Sequence, residues 1–425
     1  MTWNATTADG IWKEVFGKLE DGIPNFAKLG ERYPFETGLG KELKFPVRVK
    51  RSHGVTLASG NDSLDAFTLN APITGQLKPA NVSGSMCVIR ERLGYKSTLA
   101  AMEEGTKAFG SLYGEAVTDA WLSLHFYREA LDLYGQTNFG VFAAAGSSAT
   151  SITIKLTAAS SAPGLWAQME GASVDVYDPT FGTKRNTNGA LTVSAIDYTV
   201  GGADNGVVTL TLAGAAADNA AIQAADYVVP LGFYNSGHMS AAGFDKICTN
   251  TGSLFGIDAA TYPVWGGNTA AVGGALTFAA LTKGTVPIHV RAGVSEEPLD
   301  VWCSPLSWID MNSDVAAVRR SAGNEGGRVE FGAKEIVYYG LTGEMVIRPH
   351  ALIKGGEAFV GMKDYVIRGG ATEPTFDHPA KEGNSRFLRE LADNAGFEFR
   401  GLWDNFIILT KPRSWAKLTS ITNTA

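Results

Sequence analysis

The clearest periodicity in the chain lies between residues 42 and 50. Leu43, Phe45, Val47 and Val49 fall on one face and Glu42, Lys44, Arg48 and Lys50 on the other. Period two over this length predicts a half-buried strand. A stretch rich in Ser, Asn, Asp and Gly follows from Gly54 to Gln76, and a second strand-like run returns through Val82, Met86, Val88 and Ile89. The two runs predict a long hairpin with a polar tip, and a two-stranded ribbon is marginal unless it lies against something else.

The period changes to three and four over 98–134. Phe109, Leu112, Tyr113, Ala116, Ala120, Leu124, Tyr127, Leu131 and Tyr134 predict one apolar helix face. Gly135 follows directly, where a left-handed C-terminal cap is expected. At 1.5 Å per residue, the 109–134 portion alone is about 39 Å long. Before the ribbon, residues 1–40 hold a short helical pattern (Ile11, Val15, Phe16, Leu19) and then a stretch broken by Pro24, Gly30 and Pro34. This reads as an arm that finds its contacts elsewhere.

From about 150 to 235 charge thins out and Thr, Ser, Ala, Val and Gly dominate. Short strands are expected at Ser151–Leu156, Ala172–Tyr177, Leu191–Ile196, Gly206–Leu212 and Tyr227–Leu231, separated by turn clusters such as Asn186-Thr187-Asn188-Gly189. Such spacing predicts a small β-barrel or sandwich, inserted into a chain of mixed character. Further on, a hairpin is expected between Glu335–Tyr339 and Glu344–Arg348, a helix at about Ser385–Asn394, and a final strand pair, Phe397–Trp403 with Phe406–Thr410. The class is α+β with an all-β insertion.

Composition narrows the function. With 425 residues the chain is long enough for two or three cores. A formal charge of -7 argues against a dedicated nucleic-acid binder. Cys87, Cys248 and Cys303 are widely separated and form no CxxC pair, so they read as buried thiols in a reducing compartment. The N-terminus lacks a basic region followed by an apolar run, so no signal peptide is expected. No apolar stretch approaches the roughly 20 residues that span a bilayer. A chain made inside the cell, without a membrane partner, is the expectation.

Constellations for reaction chemistry are missing. There is no phosphate loop, no GxGxxG, no nucleophile elbow and no HExxH pair. The six histidines are scattered, and the adjacent acids Glu103-Glu104 and Glu296-Glu297 do not face each other as a catalytic pair would. The Asp/Asn/Gly loops, Asn61-Asp62-Ser63 among them, lack the calcium-loop spacing. No catalytic residue, cofactor or metal is expected. The local positive cluster is Lys44, Arg48, Lys50 and Arg51. It admits a solvated face, a DNA phosphate contact or a salt-bridged contact with an acidic neighbour, and a ribbon that cannot stand alone favours the neighbour. With Asp62 and Asp65 at the tip, these residues are the candidates for subunit contact.

Several ordered segments carry a resemblance. They are Ala80-Asn81-Val82-Ser83-Gly84-Ser85 leading into Val88-Ile89-Arg90-Glu91; Tyr127-Arg128-Glu129-Ala130-Leu131-Asp132-Leu133-Tyr134-Gly135; Gly252-Ser253-Leu254-Phe255-Gly256-Ile257-Asp258-Ala259-Ala260-Thr261-Tyr262-Pro263-Val264-Trp265; and Leu409-Thr410-Lys411-Pro412-Arg413-Ser414-Trp415-Ala416. From about residue 40 onward the chain resembles the major capsid proteins of tailed double-stranded-DNA bacteriophages, with the Hong-Kong-type capsid fold.

That resemblance implies an N-terminal arm over 1–40 and an extended loop over 41–96. A spine helix and the start of a peripheral domain take 97–149, an inserted β domain 150–235, and an axial domain with the rest of the peripheral domain 236–425. It implies a structural subunit of the icosahedral head, found in the virion and, during assembly, in the host cytoplasm. The implied partners are copies of itself in hexamers and pentamers, a separate scaffolding protein, a portal protein, a decoration protein and only weakly held DNA. Some members cross-link through a lysine on the extended loop. Here Gly54–Gln76 contains no lysine, Lys50 and Lys78 lying only on its flanks, so no cross-link is expected. No N-terminal processing is expected either. A surface-displayed β-rich adhesin and a carbohydrate-active enzyme without recognisable motifs are the rival readings.

Overall fold

The long helix and the sheets share one apolar core, and buried charges cross it. The computed structural model describes residues 28–40, 42–57, 69–94, 106–167, 169–199, 205–234, 240–293, 298–313, 336–341, 343–376, 389–390 and 396–424, with backbone alone for 106–115 and 389–390. The expected arm helix around Ile11–Leu19, the start of the long helix at 98–105, and Asp62 and Asp65 lie outside the described residues.

The helix runs from Thr106 to Tyr134. Ala116, Ala120 and Leu124 are buried along one stripe, as the spacing predicts, whereas the last turns are buried nearly all round: Arg128, Glu129, Ala130, Asp132, Leu133 and Tyr134. The Gly135 cap is corrected. The left-handed residue is Gln136, at φ 62°. Gly135 is needed for space: a Cβ there would sit 2.1 Å from the Ala241 oxygen, and the Gly135 carbonyl accepts from the Gly243 N–H at 3.0 Å.

Against this helix lies a sheet built on one 14-residue strand, Gly396–Leu409. It pairs with Ser85–Gly94, Val366–Thr375 and Arg389–Glu390, and Phe35–Glu36 joins the far side of Val366–Thr375. The expected hairpin at 397–410 is therefore a single strand. Asp404 and Asn405 look like turn residues, but Asn405 is buried and donates to Asp132 Oδ1 on the long helix at 2.8 Å. The irregularity falls in the partner strand instead, where the register shifts between Gly369 and Thr372 opposite Asp404. The expected helix at Ser385–Asn394 is also corrected: Arg389–Glu390, its described part, is strand paired with Phe397 and Glu398.

The segment from 140 to 230 forms a six-stranded sheet ordered Gly140–Val141, Tyr227–Pro230, Ser173–Tyr177, Leu191–Tyr198, Val208–Ala213, Ser151–Lys155. An antiparallel bridge between Phe142 and Leu156 links the two outer strands and closes it into a small barrel. Alternation drives it: Ile152, Ile154, Val174, Val176, Val208, Leu210 and Leu212 point inward and are buried. Its core runs on into Tyr134 and Leu133 of the long helix and Trp302, Phe359 and Trp415 beyond.

A second six-stranded sheet is ordered Thr269–Gly274, Trp415–Ile421, Ala358–Met362, Leu299–Cys303, Gly343–Pro349, Ile336–Gly340. Its last two strands are the hairpin expected there. The central strands Leu299–Cys303 and Ala358–Met362 are buried at every position, and the helix Phe278–Ala292 covers one face.

Buried charges tie these layers together. Asp300 accepts from Arg32 at 2.7 and 2.8 Å, Arg348 at 3.0 Å and the Tyr33 hydroxyl at 3.1 Å. This fixes the segment 28–36 to a central strand of the second six-stranded sheet. Glu129 meets His350 Nε2 at 3.0 Å, and Asp132 meets Arg368 at 3.0 Å. Lys417 bridges Asp245 and Glu357 at 2.6 and 2.7 Å. Burial opposes the Asp245 charge, but Lys417 and Lys354 overcome it and hold the carboxyl below its usual range.

A candidate subunit-interface ribbon

The strand Glu42–Lys50 pairs antiparallel with Gln76–Ser83, in a register running from Glu42↔Ser83 to Arg48↔Leu77. The expected ribbon is thus present but shorter on its return side. The chain breaks at Gly84, and Ser85–Gly94 pairs with Gly396–Leu409 instead. A Cβ at Gly84 would sit 2.3 Å from Asp404 Oδ1, so a larger residue at the crossing from ribbon to sheet would push that carboxylate aside.

The base of the ribbon rests on the chain's own body. Ala80 packs with Ile257 and Trp265, flanked by Phe45, Val47, Val49 and Tyr262. Val82 packs with Phe406 and Ile408. The anchor is the 252–265 segment, whose sequence explains its shape. Leu254 pairs with Ile257 around a tight turn in which Phe255 and Gly256 both have positive φ, 54° and 81°, as a type I′ turn requires. The Phe255 carbonyl then accepts from the Asn81 N–H of the ribbon at 2.9 Å. Asp258 caps the next turn, accepting from the Ala260 N–H at 3.1 Å and the Thr261 hydroxyl at 2.8 Å. Those bonds lower its pKa. Trp265 is buried, donates Nε1–H to the Leu254 carbonyl at 2.9 Å, and sets its ring 6.3 Å from that of Phe45.

Beyond the base, burial ends. The bridge His53↔Ile73 extends the pairing, and Asn70 ties across the tip to Thr56 Oγ1 and the Val55 carbonyl at 2.8 and 3.0 Å. The tip was expected to be polar. Its polar stretch at 58–68 lies outside the described residues, and on the flanks of that stretch apolar side chains are exposed: Val55 at 65%, Leu57 at 92% and Leu69 at 71%, with Ile73 and Leu77 also exposed. Alternation re-emerging at Val55 and Leu57 was the available sequence signal, hidden among polar neighbours.

The structure brings Lys44, Arg48, Lys50 and Arg51 together on and beside one strand, all exposed. Lys44 lies 3.5 Å from Glu42, an exposed pair of small energetic weight. Asp62 and Asp65 lie outside the described residues, so their placement relative to this cluster is not part of the geometry.

Elsewhere the chemistry is sparse. Among the described residues no three His, Cys, Asp or Glu cluster as metal ligands would. Burial raises the thiol pKa of Cys87 to about 11 and of Cys303 to about 12, and raises that of Cys248 further, which leaves them weak nucleophiles. A cavity of about 310 Å³ beside Thr269–Gly274 is lined by Ala270, Val272, Thr277, Ala280 and Leu418, with Lys283 as its titratable group. No described helix is long and apolar enough to cross a membrane.

No protein-family model matches the sequence, and no curated protein matches it significantly. Solved structures do. The cyanophage A-1(L) capsid asymmetric unit aligns with 97% of this chain and 97% of its own, at 13% identity and a TM-score of 0.50. The capsid of the native GTA particle aligns over 98% and 97%, at 8% identity and 0.45. The holo-SrpI encapsulin complex from Synechococcus elongatus aligns over 100% and 98%, at 10% identity and 0.44. The first of these sets the class: the chain has the α+β fold of a phage capsid protein along nearly its whole length.

Proposed function

We propose that this chain is the structural subunit of an icosahedral phage head, assembling with copies of itself around double-stranded DNA. The fold shared with the cyanophage capsid supports this. The observation that carries it is the ribbon, anchored at Trp265 and Ile257 yet ending in Val55, Leu57, Leu69, Ile73 and Leu77 uncovered. Solvated monomers rarely keep such a concentration of apolar side chains on a two-stranded projection. Covering it against a neighbour, with Lys44, Arg48, Lys50 and Arg51 meeting acidic groups there, is the contact that repeats around closed rings.

In this reading the chain acts by association and not by catalysis. The arm, extended loop, spine helix, inserted β domain and peripheral and axial domains take the boundaries given above, except that the extended ribbon ends at Ser83 and the β domain takes in Gly140–Val141. A separate scaffolding protein, a portal and a decoration protein are the further partners in this reading. The net charge of -7 suits a wall that confines DNA without gripping it. Electron microscopy of the expressed protein, alone and with its scaffold, tests the proposal. Closed shells, tubes or hexameric rings are expected; monomers at every concentration overturn it.

A further inference from the structure

The ribbon is a two-stranded sheet and therefore has two open edges, which is where strands of other chains add. Which backbone groups face those edges follows from the register. In an antiparallel pair, opposed residues alternate between those that exchange both N–H···O bonds and those whose N–H and C=O point outward. Pro46 lies directly opposite Pro79. Neither has an N–H, so this rung belongs to the outward class, and by alternation Lys44 and Asn81, and Arg48 and Leu77, do too. An independent contact agrees: the Asn81 N–H bonds outside the ribbon, to the Phe255 carbonyl at 2.9 Å.

The consequence is that both edges lose their outward donor at the same rung. On the first strand, Pro46 separates the outward donors of Lys44 and Arg48. On the second, Pro79 separates Leu77 from Asn81, whose N–H is already committed. A ladder needs consecutive outward donors, and neither edge offers two between Lys44 and Arg48 on the first strand or between Leu77 and Asn81 on the second. The first edge also carries exposed Lys44, Arg48 and Lys50, and its register shifts between Arg48 and Lys50. Proline, like charge and irregularity together are what keep an exposed edge from pairing. By contrast Thr269–Gly274, at the border of the second six-stranded sheet, has neither proline nor charge.

We propose that the ribbon is closed to strand addition along both edges of its paired strands, Glu42–Lys50 and Gln76–Ser83, so that a second copy of this chain meets them through side chains and not by extending their sheet. Closure is a property of the isolated chain; the manner of contact rests on the shell reading. The first test uses the purified protein and the double substitution Pro46→Thr, Pro79→Thr, which restores an outward N–H on each edge. Each regained hydrogen bond strengthens edge pairing roughly fivefold. Light scattering and thioflavin fluorescence of the variant then rise well ahead of wild type, while either single substitution gives an intermediate rate. Equal rates for all four proteins overturn the closure. The second test needs no variant, which guards against misfolding of the double substitution. In images of wild-type assemblies the ribbon contacts its neighbour through side chains such as Leu57 and Leu69, and a neighbouring strand hydrogen-bonded to Lys44 or Arg48 overturns the proposal. If no assembly forms, the shell reading fails while the first test still reads the edges.

Discussion

Replacing Trp265 by alanine should release the ribbon without unfolding the body. The indole is 1% exposed, packs against Ala80, Ile257 and Phe45, and satisfies the Leu254 carbonyl. Truncating a buried tryptophan costs about 3–5 kcal/mol, part of it the cavity left behind, and the carbonyl left unpaired accounts for about 1 kcal/mol on its own scale. The loss falls on a satellite cluster with only three fully buried members, separate from the two large cores. It should therefore appear as local opening. Amide exchange at Asn81, whose N–H is bonded to the Phe255 carbonyl across this cluster, should speed up by about a hundredfold or more, as a loss near 3 kcal/mol dictates. The Trp265→Phe variant keeps most of the packing and should show only about 1 kcal/mol of the effect. Amides of the central strands Leu299–Cys303 and Ala358–Met362 should be unchanged. Unchanged exchange at Asn81, or equal acceleration in those central strands, would refute the argument that the anchor holds the ribbon locally.

Three further outcomes follow from the buried charges. His125, on the long helix, has its pKa lowered to about 4 by burial and by Arg128 and Arg368. Its contribution to stability is complete above pH 6.5 and is lost as pH falls toward 4, by about 1–2 kcal/mol once the screening of a half-buried ring is allowed for; thermal melts across this range should flatten in His125→Gln. Glu91 has the opposite sign, because burial raises its pKa from 4.5 to about 6. It stabilises the fold as pH falls from 6 to 4.5, so Glu91→Gln should raise the melting temperature at pH 7 by the equivalent of about 2 kcal/mol or less. Lys417→Met strands Asp245 and Glu357 without their shared cation. It should cost about 3–5 kcal/mol at neutral pH, a loss that melts at pH 5 should partly recover.

Legibility from the sequence followed the range of the interaction. The strands between 151 and 231, the hairpin at 336–349 and the first ribbon strand were readable because alternating burial writes a period of two into neighbouring residues. The same pattern misled at 397–410, where Asp404-Asn405 has turn composition but Asn405 is committed to Asp132 on the long helix. It misled again at Gly84, where the strand changes partner from Glu42–Lys50 to Gly396–Leu409, and at Gly135, whose place is set by the distant Ala241 carbonyl.

For the interface ribbon, the sequence by itself determined a half-buried strand with Lys44, Arg48, Lys50 and Arg51 near its outer face, and the family resemblance marked the 252–265 segment. Only the tertiary structure decided that this segment is the ribbon's anchor, that Pro46 stands opposite Pro79, and that Val55, Leu57 and Leu69 are left uncovered. Periodicity reports which face of an element is buried. Register and anchoring are set by contacts between residues far apart in the chain, and no local pattern records them.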